Sequence, residues 1–135
     1  MEGNERILLV DDEEMVRTGL KIIFTHRGYQ ISEAANGKDA IQKFTEASPP
    51  ISLVLLDLEL PDMSGMKVLS KLREVDAQVK VILFSGNIAD RDTSKAQELG
   101  AVDMIPKPFR NHNLLRLVRD TLDQSRSAPH LKTTV

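Results

Sequence analysis

The chain has 135 residues, with 18 basic against 20 acidic side chains, a net charge of −2 and no cysteine. That length favours one domain with a single good core. The charge balance offers no basic footprint for nucleic acid, and disulfides and thiolate metal sites are excluded.

The N-terminus, Met1-Glu2-Gly3-Asn4-Glu5-Arg6, is polar and mixed in charge. It lacks the basic stretch and apolar run of a signal peptide. No apolar segment approaches the ~20 residues needed to span a bilayer. The reading is a soluble, cytoplasmic domain without a membrane or a direct nucleic-acid contact.

Residues 6–10 form a short apolar run, as expected of a strand buried on both faces. Residues 13–27 change period: Val16, Leu20, Ile23 and Phe24 share a helical face, and Gly28 offers a stop. Residues 30–34 read as a weaker strand, and Asn36-Gly37 as a turn. Residues 38–47 are helical, with Ala40, Ile41 and Phe44 on one side, and end at Ser48-Pro49-Pro50.

Residues 53–56 give the strongest central strand. The loop Leu60-Pro61-Asp62-Met63-Ser64-Gly65 leads to a helix over 64–75 carrying Met66, Val68, Leu69 and Leu72. A strand is predicted over 79–84, a polar helix over 88–99 and a fifth strand over 102–105. The last helix covers 111–124, with Leu114, Leu115, Leu117, Val118 and Leu122 apolar. Residues 125–135 show no periodicity and read as a flexible tail or interdomain linker, leaving 1–124 as the domain. Strands alternating with helices imply right-handed crossovers, a parallel sheet and helices on both faces, an α/β fold.

In such a sheet ligands bind where the strands' carboxyl ends line up. Asp11 and Asp12 follow the first strand, Asp57 the third, Ser85 the fourth and Lys107 the fifth. The first strand-to-helix turn is Val10-Asp11-Asp12-Glu13-Glu14 instead of a glycine-rich phosphate loop. Its acids suit a hard cation such as Mg²⁺; as readily, they suit the positive end of a helix macrodipole. Asp57 weighs toward chemistry, because a carboxylate closing so apolar a strand is costly unless paired or coordinated. It is read as a nucleophile that accepts a phosphoryl group. A metal on Asp12 and Asp57, the Lys107 ammonium and the Ser85 hydroxyl would then neutralise the phosphoryl oxygens.

With these residues in place the sequence resembles the receiver domain of bacterial two-component response regulators, over about residues 5 to 124. The resemblance rests on Ile7-Leu8-Leu9-Val10-Asp11-Asp12-Glu13, Leu55-Leu56-Asp57-Leu58-Glu59-Leu60-Pro61-Asp62-Met63-Ser64-Gly65-Met66, Val81-Ile82-Leu83-Phe84-Ser85-Gly86 and Lys107-Pro108-Phe109. It implies a doubly wound, flavodoxin-like sheet in the order 2-1-3-4-5. It also implies a phosphoacceptor switch charged by a histidine kinase, a phosphotransfer protein or a small phosphodonor.

In that family Asp57 matches the phosphoacceptor. The resemblance implies that Asp12 would bind Mg²⁺ directly, Asp11 mainly through water and Glu59 through its backbone carbonyl, with Mn²⁺ able to substitute. Ser85 matches the switch hydroxyl and Lys107 its lysine, with a cis peptide before Pro108. Met104 departs from the pattern, which has an aromatic residue there that rotates when the hydroxyl shifts. Glu59 and Asn87 occupy positions that tune phosphoryl lifetime. Met15, Thr18 and Ile22 lie off the core stripe of the first helix, where the family docks the kinase. The fourth helix, fifth strand and fifth helix form the family's output face, toward a homodimer or an output domain, and Asp90, Arg91, Asp92, Lys95 and Glu98 give that helix mixed charge. Thr133-Thr134-Val135 read as a frayed end.

Two other readings compete. Met104 fits an interaction module that is not phosphorylated. An aspartate-nucleophile phosphatase would need a second aspartate two residues after Asp57, where this chain has Glu59. Beyond self-phosphorylation and its reversal, no enzyme activity is expected. The chain is either a single-domain regulator or the N-terminal receiver of a longer protein.

Overall fold

The structure is a computed structural model and describes residues 3–86 and 93–126. Asn87, Asp90, Arg91, Asp92 and Thr133-Thr134-Val135 lie outside the described residues, as does most of the expected tail. In chain order the elements are β1 (Arg6–Val10), α1 (Glu14–His26), β2 (Gln30–Ala34), α2 (Gly37–Glu46), β3 (Leu53–Asp57), α3 (Gly65–Val75), β4 (Val81–Ser85), α4 (Thr93–Glu98), β5 (Asp103–Pro106) and α5 (Asn111–Arg126). The five strands form one sheet in the order β2-β1-β3-β4-β5, and every pairing is parallel.

Strand alternation sorts the core into two layers, because successive side chains point to opposite faces. Leu8, Val10, Val54, Leu56, Val81, Leu83 and Met104 face one cluster, completed by Ala40 and Phe44 of α2, Val68, Leu69 and Leu72 of α3, and Ala96 of α4. Ile7, Leu9, Leu53, Leu55, Ile82 and Phe84 face the other, completed by Leu20 and Phe24 of α1 and Leu114, Leu115, Val118 and Leu122 of α5. The central strands β1, β3 and β4 are therefore apolar between their end residues, as a sheet covered on both sides requires, whereas edge strand β2 carries Gln30, Ser32 and Glu33. Among the described residues of α4, Ala96 is the single buried side chain. No helix among the described residues is long and apolar enough to cross a membrane.

The boundaries differ from the sequence reading in four informative places. β4 starts at Val81, not Val79, because residues 76–79 turn: Val79 N–H donates to the Asp76 carbonyl, and Gln78 N–H to the Asp76 side chain. Asn36 is the N-cap of α2, its side chain accepting from Asp39 N–H. Asp57 belongs to β3 as its last residue. α5 continues through Arg126, two residues beyond the expected edge of the domain. Gly28 and Gly100, with φ of 100° and 94°, turn the chain out of α1 and α4 in the left-handed region that glycine enters freely.

Candidate functional site

Parallel register brings the acids together. Val10 pairs with Leu56, so Asp11, just past β1, and Asp57, the last residue of β3, stand side by side. Asp57 in turn pairs with Phe84, and Ser85 with Pro106, which sets Lys107 just past the same edge. Asp11 and Asp57 are each only 3% exposed, and Ser85 1%.

Lys107 Nζ closes the group. It donates to Asp11 Oδ2 at 2.8 Å and Asp57 Oδ2 at 3.0 Å, and lies 3.4 Å from Glu13 Oε1. The lysine is positioned by its own backbone, whose N–H donates to the Ser85 carbonyl at 2.8 Å, and by the loop beyond it. There the Lys107–Pro108 peptide is cis, and the Phe109 ring stacks on Phe84 with centroids 4.8 Å apart.

Burial pushes the Asp57 carboxyl above the usual carboxylate range, while the Glu59 N–H and the Lys107 ammonium pull against it. Burial also works against the Lys107 ammonium, but its hydrogen bonds to Asp11 and Asp57 outweigh that and hold it above the ordinary lysine range. The same contacts thus favour the charged form of Lys107, while burial opposes the charge of Asp57.

One carboxylate oxygen from each of Asp11, Asp12 and Asp57 lies within 4.8 Å of the others. Such an all-oxygen set suits a hard divalent ion that keeps several waters, and exposed Asp12 leaves room for them. Asp57 Oδ1 accepts from Glu59 N–H at 3.0 Å, so the loop after β3 folds back on the acceptor strand. Gly65 makes this possible: a Cβ there would meet the Asp57 carbonyl oxygen and the Leu58 Cα, both at 2.6 Å.

The same loop is anchored at its far end. Asp62 takes Gly37 N–H on Oδ1 at 2.8 Å and Lys38 N–H on Oδ2 at 2.9 Å, satisfying two free donors at the start of α2. Those bonds hold the Asp62 carboxyl below the usual range.

The remaining sequence-derived residues fall around this centre. Glu59 is exposed beside it. Met104 is buried among Leu83 and Ala96, on the face opposite α1 and α5. Met15, Thr18 and Ile22 are all exposed on α1, Met15 at 88% and Ile22 at 65%. Lys95 and Glu98 are exposed on α4. Three contributors escaped the sequence reading: Glu13 as a third carboxylate on Lys107, Asp62 as a clamp, and Arg17, which donates to the Asp11 carbonyl. Glu13 and Asp62 act between segments far apart in sequence, and Arg17 reaches back six residues to a backbone carbonyl; hydrophobic periodicity carries no trace of such contacts.

The family model for the response regulator receiver domain matches residues 7–119. The chain belongs to this family. It is 35% identical over 119 residues to the chemotaxis protein CheY of Bacillus subtilis, covering 87% of this chain and 98% of that one. The receiver domain protein of Methanospirillum hungatei superposes with a TM-score of 0.86 at 28% identity, over 92% of this chain and 98% of the other. Response regulator TrrA of Thermotoga maritima, solved in complex with Mg²⁺-BeF, gives 0.78 at 32% identity, over 87% and 98%.

The chain is thus a phosphoacceptor signalling switch of the two-component type, with the CheY-like parallel sheet. Receiver domains bind Mg²⁺ at an acidic cluster, and the Asp11, Asp12 and Asp57 oxygens are arranged as such a cluster. Neither the unphosphorylated module nor the phosphatase is favoured by these relatives, which are signalling switches rather than classical enzymes.

Proposed function

We propose that Asp57 is the phosphoacceptor, and that its phosphorylation changes what the face of α4, β5 and α5 binds. The observation that carries this is Asp57 itself: a buried carboxylate ending an apolar strand, 3.0 Å from an ammonium and grouped with two more carboxylates. An Asp57 oxygen attacks phosphorus in a phosphohistidine of a kinase or phosphotransfer protein. The new O–P bond forms as the N–P bond breaks, and the freed imidazole nitrogen takes a proton from water.

Glu59 N–H holds one Asp57 oxygen and fixes the line of approach. Lys107 turns part of its charge from Asp57 to the incoming phosphoryl oxygens, and the Ser85 hydroxyl takes another. Asp12, Asp57 and the Glu59 carbonyl would hold Mg²⁺ (or Mn²⁺), with Asp11 acting mainly through water. When bound, that ion supplies positive charge to the phosphoryl oxygens. The chain catalyses only its own phosphorylation and dephosphorylation.

Residues 1–124 form the receiver, with α5 running on to Arg126, and 125–135 otherwise serve as a flexible tail or an interdomain linker. Exposed Met15, Thr18 and Ile22 supply a docking patch for the kinase, in the cytoplasm. The output face meets a second copy or an output domain. Buried Met104 replaces a rotating ring, so here the signal passes to α4 by repacking of a flexible thioether.

Intact-mass measurement after incubation with acetyl phosphate and Mg²⁺ tests the acceptor. One phosphoryl adduct is expected in the wild type and none in Asp57→Asn. An adduct that persists in the variant would falsify the assignment.

A further inference from the structure

We propose that Arg17 is a positioning residue for the metal-binding acids, acting on the backbone between Asp11 and Asp12. The proposal rests on the Mg²⁺ reading above. Arg17 lies on α1, its side chain 15% exposed. Nη1 donates to the Asp11 backbone carbonyl at 2.6 Å, and Nε to Glu33 Oε1 at 3.3 Å. Glu33 on β2 is itself held: Lys21 Nζ pairs with its other oxygen at 3.3 Å, and Lys43 Nζ donates to its carbonyl. Asp11 N–H is tied to the same strand through the Ala34 carbonyl at 3.1 Å.

Both sides of Asp11 are therefore fixed against β2, one directly and one through the guanidinium. The carbonyl that Arg17 holds belongs to the peptide joining Asp11 to Asp12. That unit is planar, so fixing its oxygen fixes the plane from which Asp12 leaves the chain. Asp12 is exposed and takes its direction from this backbone. Only an arginine's rigid fork serves Glu33 and the carbonyl together; an ammonium is a single point of charge. The cation is spent on a carbonyl and on Glu33, so it does not compete with a metal for the carboxylates of Asp11 and Asp12.

Charge and position predict opposite signs. Removing a cation beside an acidic metal site tightens Mg²⁺ binding by Coulomb's law. Losing the positioning weakens it, by about 10-fold on the scale of outer-shell partners of metal ligands.

Calorimetric Mg²⁺ titration of the full chain, wild type against Arg17→Met and Arg17→Lys, separates the two. Urea melts alongside establish that each variant is folded. We expect both variants to bind Mg²⁺ about 10-fold more weakly, with acetyl phosphate labelling restored at saturating Mg²⁺. Unchanged or tighter binding in Arg17→Met overturns the proposal. Should that variant not fold, Arg17→Lys decides: it keeps the charge, so wild-type affinity there equally overturns it. A wild type that binds no Mg²⁺ refutes the metal reading itself, whereas binding in the wild type with equal affinity in the variants refutes the role of Arg17 alone.

Discussion

Replacing Lys107 by methionine removes the one ammonium that joins Asp11 and Asp57 while keeping most of the side chain's bulk. The lysine lies 2.8 Å and 3.0 Å from carboxylates that are each 3% exposed. Breaking a buried ion pair by removing one member costs ~3–5 kcal/mol, because it leaves uncompensated charge. The Lys107 side chain retains 18% exposure, so water screens part of the effect and the lower end, ~3 kcal/mol, is expected. For a domain of this size that corresponds to about 12 °C in Tm.

The pH dependence has a definite sign. The Asp57 pKa is raised on folding, so its contribution to stability is present below the unfolded value of 3.8 and lost as pH rises through the folded one. Removing Lys107 raises it further, and the deficit of Lys107→Met should therefore be larger at pH 8 than at pH 5. Adding Asp57→Asn removes one of the stranded charges and should recover most of the loss. Urea melts in EDTA measure all of this, with the double-mutant cycle isolating the pair. A Lys107→Met chain within ~0.5 kcal/mol of wild type at pH 8, or a double variant no better than the single, would refute the reasoning.

Gly65→Ala forces a methyl against the Asp57 carbonyl and Leu58 Cα and should cost ~1–3 kcal/mol in a urea melt. A wild-type midpoint would mean that the close approach of α3 to β3 is not needed. Asp62→Ala should lower the Tm at neutral pH by uncapping α2. The Asp62 pKa is depressed on folding, so its contribution is present above 3.8 and lost as pH falls through the folded value. The gap to wild type should therefore close below about pH 4, and a gap independent of pH would show that the carboxylate charge is not what caps the helix.

Much of this was legible because buried parallel strands declare themselves as unbroken apolar runs, and polar residues ending such runs stand out. Asp11, Asp57, Ser85 and Lys107 were found that way, and parallel register then made them neighbours. The turn that delays β4 was hidden because Val79 is as apolar as the strand it precedes; only the Asp76 hydrogen bonds distinguish them. Asn36 gave a turn signal, and a helix N-cap uses the same side-chain chemistry. Asp62 left no local signature, since it gains its role from backbone groups of α2, and Arg17 left none because a side chain's bond to a carbonyl six residues back does not alter the helix's apolar pattern.

Ala96 gives α4 its particular place in the energetics of the domain. A helix whose described residues bury only one methyl-sized side chain has under ~1 kcal/mol of apolar burial holding it down. Its neighbours α3 and α5 are seated by Val68, Leu69 and Leu72 and by Leu114, Leu115, Val118 and Leu122. Native-state hydrogen exchange should therefore be graded along the chain, with α4 amides opening long before those of β1, β3 and the large helices. An element so lightly seated can be moved by a small free-energy change at the carboxyl edge of the sheet. The rest of the domain would stay folded as it moves.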